Sequence, residues 1–100
     1  MITVKVGVSK YDIDRSERDR SQCPITRAIS KKLQISADDV EVREEEESVW
    51  IWDEWDHPSE IYTFENDTVL NFICSWKAME EVRPFEFSMK KRRQACLERH

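Results

Sequence analysis

Glycine is almost absent from this sequence, because Gly7 is the only glycine among 100 residues. The phosphate-binding loops of nucleotide-binding proteins need several glycines, since only glycine lets the backbone come close to a phosphate group. Histidine is nearly as scarce, with only His57 and His100. The chain therefore lacks such loops and has few side chains suited to acid–base catalysis near neutral pH. We predict a protein that is not an enzyme and that uses no cofactor.

The cysteines are few, odd in number and far apart. Cys23, Cys74 and Cys96 never form a CxxC pair, which indicates neither a disulfide framework nor a zinc site and is typical of a reducing compartment. Only Cys23, at the start of a predicted helix, has a setting that would favour a thiolate, and a small buried apolar side chain is the favoured alternative. A long apolar run and a signal-peptide pattern are also lacking. These absences predict a cytoplasmic protein that does not span a membrane.

What the chain has in excess is charge, and the charge is unevenly distributed. The segment 38–67 contains thirteen acids and one base, Arg43, which gives a formal charge of −12. The rest of the chain contains eight acids and fifteen bases, a formal charge of +7. Such asymmetry bears on partners and solubility rather than on the fold.

Hydrophobic periodicity predicts an α+β fold with the element order β-α-β-β-β-α-β. We expect a mostly antiparallel sheet with two helices packed on one of its faces. A single domain over residues 1–89 would precede a basic C-terminal tail, residues 90–100. The predicted strands lie at 2–8, around 40–42, and at 47–55, 60–66 and 84–89, and the predicted helices at 21–35 and 66–82. The polar segment after the first strand is expected to be a loop or a short helical turn starting near Ser9.

Two short motifs resemble a group of known proteins. The chain has "CPITRAI" after its first strand and "FICSWKAMEEVRPFEF" near its end. This arrangement is similar to small uncharacterised accessory proteins of phages and prophages, in which a Cys-Pro-Ile helix start is followed late in the chain by a Pro-Phe-x-Phe strand. The resemblance implies a small viral protein that acts in the host cell cytoplasm, and it implies no catalytic residues.

The stretch "REEEESVWIWDEWDHPSEIY", residues 43–62, joins a run of acids to three tryptophans. On a strand, Trp50 and Trp52 share one face, which is either the core or an open surface framed by acid. We favour the open surface, because tryptophan anchors and acidic steering are typical of protein-binding sites, although a run of acids is also typical of a solvated face. The candidate binding residues are Glu44, Glu45, Glu46, Glu47, Trp50, Trp52, Asp53, Glu54, Trp55 and Asp56.

The resulting hypothesis is a non-enzymatic accessory protein that binds a host protein through this acidic, tryptophan-bearing surface. A partner with a basic groove fits best, and mimicry of nucleic acid or inhibition of a host defence protein are narrower forms of the same hypothesis. The alternative is a nucleic-acid-binding protein that uses the basic run Lys90, Lys91, Arg92 and Arg93. Four charges without an aromatic platform, on a protein of net charge −5, make direct nucleic-acid binding the less favoured alternative.

Two further expectations concern metals and self-association. The acids of "DEWDH", residues 53–57, would alternate between the two sides of a strand, so we predict no metal site there. Apolar groups on both sides of "VWIW" predict an exposed apolar surface that a homodimer would cover. In such a dimer the glutamates would lie away from the twofold axis or would meet the partner's basic tail.

Overall fold

A computed structural model of the chain describes residues 2–53 and 57–92. The strands are β1 (Thr3–Val8), β2 (Val40–Arg43), β3 (Ser48–Trp52), β4 (Pro58–Phe64) and β5 (Phe85–Lys91). The α-helices are α1 (Lys10–Arg18), α2 (Pro24–Leu33) and α3 (Thr68–Lys77), and single 3-10 turns occupy Ala37–Asp39 and Glu44–Glu46. The predicted α+β class is confirmed, with one helix more than the sequence indicated.

The five strands form one sheet in the order β1-β5-β4-β3-β2, and every neighbouring pair is antiparallel. Consecutive strands β2, β3 and β4 are neighbours, whereas β1 from the start of the chain pairs with β5 from its end. The predicted antiparallel sheet is therefore confirmed, and its two edges are β1 and β2.

The main core lies between one face of the sheet and the helices. Alternate strand residues point to this face, and they pack against the apolar sides of α2 and α3. Phe72 of α3 stacks on Phe85 of β5 with ring centroids 4.8 Å apart, which ties this helix to the sheet. The buried strand residues of this core are Val6, Val8, Val40, Val49, Ile51, Tyr62, Phe64, Phe87 and Met89.

The segment expected to be a loop or a short helical turn near Ser9 is the nine-residue helix α1. Ser9 is its N-cap, and the Asp12 backbone N–H donates to the Ser9 hydroxyl while the Asp12 carboxylate accepts from the Ser9 backbone N–H. Lys31 of α2 lies 3.0 Å from the buried Asp12 carboxylate. Capping and this contact with a distant part of the chain stabilise a helix that has few apolar residues of its own.

The helix α3 ends earlier than predicted, at Lys77 rather than near residue 82. Met79 adopts a left-handed conformation with φ of 63°, and the backbone N–H groups of Met79 and Glu80 donate to Trp76 and Ser75 carbonyls. This is the hydrogen-bond pattern of a Schellman motif, in which glycine usually occupies the left-handed position. Because glycine is absent there, the sequence gives no local signal for the helix end.

The last strand continues beyond the predicted end of the domain. Lys90 pairs with Thr3 and Thr63, and Lys91 pairs with Tyr62, so both lysines belong to β5 and not to a tail that begins at residue 90. The reason is that both neighbouring strands extend this far, and the Lys91 backbone N–H donates to the Ile2 carbonyl at 2.8 Å. Arg93 and the residues after it lie outside the described part of the chain.

Across residues 2–53 and 57–92, no helix combines the length and the apolar composition needed to cross a bilayer.

Candidate binding surface

The two faces of β3 carry different side chains. Val49 and Ile51 are 0% and 4% exposed and belong to the core under the helices. Since side chains alternate along a strand, Trp50 and Trp52 lie on the opposite face, which the helices leave open. Their rings stack with centroids 5.9 Å apart at an interplanar angle of 26°, and both are half-buried. The sequence left open whether Trp50 and Trp52 face the core or an open surface, and the structure places them on the open surface.

Polar neighbours hold both indole rings in place. The Trp50 Nε1 donates to the Ser48 hydroxyl at 3.1 Å, and the Trp52 Nε1 donates to the Glu41 carboxylate at 2.9 Å. The Arg43 guanidinium lies over the Trp50 ring, 3.7 Å from its centroid, and also donates to Glu41 at 3.0 Å. Each ring is thus fixed by a hydrogen bond, and Trp50 by a cation–π contact as well.

The charges of Glu41 and Arg43 stabilise each other. Hydrogen bonding to Arg43, with a smaller contribution from the Trp52 indole, holds the pKa of the Glu41 carboxyl below its ordinary value. The hydrogen bond to Glu41 in turn raises the pKa of Arg43. Both groups therefore remain charged at neutral pH, so the contacts that orient the tryptophans persist.

A fully buried isoleucine lies on the same face. Ile61 of β4 is 0% exposed, stands directly opposite Trp50 in the sheet, and is not part of the core under the helices. The open face thus has its own small apolar group, which we call the open-face cluster and define as Trp50, Trp52 and Ile61 with the surrounding polar residues Glu41, Arg43 and Ser48.

The acidic run forms the connection between β2 and β3. Glu44–Glu46 make a 3-10 turn, and Glu47 closes it in a left-handed conformation with φ of 52°. Glu44 pairs with Lys77 of α3 at 2.6 Å and Glu46 with Arg43 at 3.5 Å. The hydrogen bond to Glu44 raises the pKa of Lys77. Glu45 and Glu47 are exposed and form no ion pair with any other described residue, so the hairpin tip presents free negative charge.

A recess of about 550 Å³ adjoins this turn. Its wall contains four glutamates and two bases, and both bases already pair with acids of the same wall. A further cationic group would therefore meet an acid-rich surface there. The lining residues are Glu41, Val42, Arg43, Glu44, Glu45, Glu46 and Lys77.

The rest of the predicted binding set is divided between a turn and undescribed positions. Asp53 helps to connect β3 with β4, because its carboxylate accepts from the His57 backbone N–H and its own N–H donates to the His57 carbonyl, both at 3.0 Å. Its described contacts are those of a turn residue. Glu54, Trp55 and Asp56 lie outside the described residues.

The basic run that was the alternative nucleic-acid contact is divided between the two faces of the sheet. Lys90 lies on the open face with its ammonium 3.9 Å from Glu65, whereas Lys91 shares the helix-covered face with Tyr62 and pairs with Glu60 at 3.0 Å. Arg92 is exposed, and Arg93 is outside the described residues. Lys90 and Lys91 therefore do not form one basic patch.

Cys23 occupies the N-cap position of α2, as expected, but gives the helix no side-chain cap. Its sulfur lies 3.4 Å from the Thr26 hydroxyl, and the side chain packs against the core, in agreement with the apolar interpretation. In the described parts of the chain, no three histidine, cysteine or acidic residues come together in a way that would hold a metal ion.

Three partners of the tryptophans are not predicted from the sequence: Glu41, Ser48 and Ile61. The fourth partner, Arg43, does have a signal in the sequence. It is the single base in the acidic segment 38–67 and it alternates with Val42 on β2. A lone cation in an acidic strand next to tryptophans indicates a cation–π contact or an ion pair. The role of Ile61 depends on strand register, which the sequence does not reveal.

Comparison with known proteins gives no match to a family model, a curated protein or a solved structure. The resemblance to phage accessory proteins stays a prediction.

Proposed function

We propose that the protein is a non-enzymatic binding protein that recognises a basic surface of another protein. The observation that carries this proposal is the open-face cluster, a pair of oriented tryptophans on the uncovered side of the sheet, next to an acid-lined recess. Aromatic anchors beside unpaired acids are the composition of a binding site for a cationic partner.

The arrangement is also favourable because it is preorganised. Binding usually costs about 0.5–1.5 kcal/mol for each flexible side chain that becomes fixed at the interface. Here Trp50 and Trp52 are already fixed by Ser48, Glu41 and Arg43, so little of that cost remains for them. The unpaired Glu45 and Glu47 at the hairpin tip would attract the partner and orient it.

Mimicry of nucleic acid has less support than general recognition of a basic protein. Side chains on one strand face repeat every ~6.6 Å, whereas duplex DNA carries one charge per ~1.7 Å of its axis. Within the described hairpin, Glu41, Glu44 and Glu46 are also partly neutralised by Arg43 and Lys77. The biological setting, an accessory protein acting on a host protein, rests only on the sequence resemblance.

The test is a capture experiment that compares two charge reversals. Glu45→Lys/Glu47→Lys reverses the hairpin tip, and Glu80→Lys/Glu81→Lys reverses two exposed acids after α3 as the matched control. We expect partners retained by wild type and control to be lost by the hairpin variant and released as salt rises. Identical retention by the two folded variants would contradict the proposal.

A gel-shift titration with duplex and single-stranded DNA separates the alternative. The proposal predicts no shift at any salt concentration, whereas a nucleic-acid-binding protein would bind with an affinity that falls steeply with salt.

A further inference from the structure

The two edges of the sheet differ in how they are protected. The edge strand β2 has four residues, lies between two 3-10 turns and carries the paired charges Glu41 and Arg43. The edge strand β1 has six residues, pairs with β5 without a register shift, and carries Lys5 as its one charge. Proteins usually protect exposed edges by short length, charge, proline or a bulge, because a free edge pairs with other strands. By these criteria β1 is the unprotected edge.

The backbone N–H and C=O groups of β1 can be divided into those that face β5 and those that face outward from the edge of the sheet. The Ile2 carbonyl accepts from Lys91 of β5, and antiparallel pairing directs both polar groups of alternate residues to the same neighbour. Val4 and Val6 therefore bond towards β5. Thr3, Lys5 and Gly7 point their N–H and C=O groups away from the sheet, where no described residue pairs with them.

The only glycine of the chain, Gly7, lies on this edge. Neither the backbone conformation nor the packing within one chain requires glycine at this position. Gly7 does not have a positive φ, and a Cβ atom built there would meet nothing within 4 Å. Glycine in a strand costs roughly 0.5–1 kcal/mol relative to alanine, so its position calls for a reason. Glycine in a strand often marks a place where another backbone approaches closely.

We infer that β1 pairs with β1 of a second copy of this chain, in antiparallel orientation about a twofold axis at Val6. An axis at Lys5 would set two lysines directly opposite each other, which is destabilising. An axis at Val6 instead sets Lys5 opposite Gly7 of the partner subunit, where the missing side chain leaves room for the lysine. Both residues direct their backbone groups outward, as a hydrogen-bonded antiparallel pair requires.

Exposed apolar groups at the two ends of β1 fit the same pairing. Among the described residues the large apolar side chains that remain mostly exposed are Ile2, Tyr11 and Met79. Ile2 precedes β1 and Tyr11 follows it in the first turn of α1. Antiparallel pairing brings opposite strand ends together, so Ile2 of one subunit comes near Tyr11 of the partner subunit.

This dimer differs from one formed through the tryptophans and does not depend on the proposed function. It joins two five-stranded sheets into one and leaves both open-face clusters uncovered on the same side. The indole N–H groups of Trp50 and Trp52 already have partners within the chain, so they do not need a second subunit.

Light scattering over a tenfold range of micromolar concentrations measures the association. We expect a mass approaching twice the 12.0 kDa of the chain at the highest concentration. Gly7→Pro removes an outward N–H that β5 does not use and should give a folded monomer, while Gly7→Ala keeps that N–H and should still dimerise. A mass of 12.0 kDa at every concentration would overturn the inference.

Amide hydrogen exchange on the wild type keeps the test decisive even if the proline variant does not fold. The Lys5 and Gly7 amides should exchange at least about tenfold more slowly in the dimer than in dilute solution, because only strand pairing protects them. A dimer in which these two amides stay unprotected would place the contact elsewhere and refute β1 pairing. Protection of the two amides that appears only after a basic partner is added would also refute β1 pairing, because it would come from that partner and not from a second copy of the chain.

Discussion

The two faces of the sheet use apolar residues for different purposes. The helix-covered face carries one continuous apolar core, most of whose side chains are almost completely buried. Among the described residues, the open face has one buried aliphatic residue, Ile61, and two half-buried tryptophans whose indole N–H groups each donate a hydrogen bond. Burial in the core accounts for the apolar residues of the helix-covered face. The open face has more oriented aromatic surface than a solvated sheet face needs. This difference supports our proposal that the helix-covered face provides stability and the open face provides recognition.

The largest expected effect compares two isoleucines of equal burial. Ile29 on α2 and Ile61 on the open face are both 0% exposed. Ile29→Ala should lower the free energy of unfolding by roughly 2–5 kcal/mol, the usual cost of a cavity in a well-packed core. Ile61→Ala should cost about 2 kcal/mol, at the low end, because the residues around Ile61 on the open face are only half-buried and leave a gap that solvent can reach. Urea denaturation measures both losses. A larger loss for Ile61→Ala than for Ile29→Ala would contradict the proposal that stability depends mainly on the helix-covered face.

A smaller effect is expected for Arg43, which links the acids to the tryptophans. Arg43→Leu removes a cation–π contact worth roughly 0.5–1 kcal/mol at an exposed site and exposed ion pairs worth about 0.2–1 kcal/mol. We expect a total loss of about 1 kcal/mol and a shift in tryptophan emission. Arg83→Leu, at an exposed base with no ring contact to a described residue, is the control and should leave both unchanged.

A gain of stability is expected at the hairpin tip. Glu47 has φ of 52°, and a left-handed conformation costs a residue other than glycine about 1–2 kcal/mol. Glu47→Gly should therefore raise the free energy of unfolding by about 0.5–1 kcal/mol after the extra chain entropy of glycine is subtracted. Glu45→Gly, in the same turn but with negative φ, should lower it. Equal effects of the two changes would show that the conformation is not strained.

The last effect is absent at neutral pH and concerns alkaline pH and the helix-covered face. Burial, helped by the nearby Glu60 carboxylate, raises the pKa of Tyr62 from 10.0 to about 12. The folded state holds this proton more tightly than the unfolded state, so the contribution to stability is full below pH 10 and is lost as pH rises towards 12. Tyr62→Phe should abolish that loss and remove the late phase of phenolate absorbance. An unchanged titration curve would contradict the assignment.

The layout of the fold was predictable because the strands and two helices have clear periods of apolar residues. The helix α1 was not, since its stability comes from the Ser9–Asp12 cap and from Lys31, which is distant in sequence. The end of α3 and the turn between β2 and β3 were also difficult to locate from the sequence. Met79 and Glu47 occupy left-handed positions where glycine would have marked the turn.

The candidate site was only half predictable for a different reason. Both faces of β3 are apolar, so periodicity alone cannot say whether Val49 and Ile51 or Trp50 and Trp52 face the core. The helices decide this question, because they cover the face on which Val40, Tyr62 and Phe64 also lie. Partners such as Ile61 and Glu41 follow from strand register, which only the folded structure provides.

The most direct test of the central claim is an NMR titration of the isotope-labelled protein with a short arginine-rich peptide. The account predicts that shift changes concentrate in residues 41–52 and in the indole N–H signals of Trp50 and Trp52, that the Trp76 signal stays fixed, and that salt reverses the changes. Shift changes spread over the acids of the helical side, or confined to residues outside 41–52, would contradict the claim that the open face is the recognition surface.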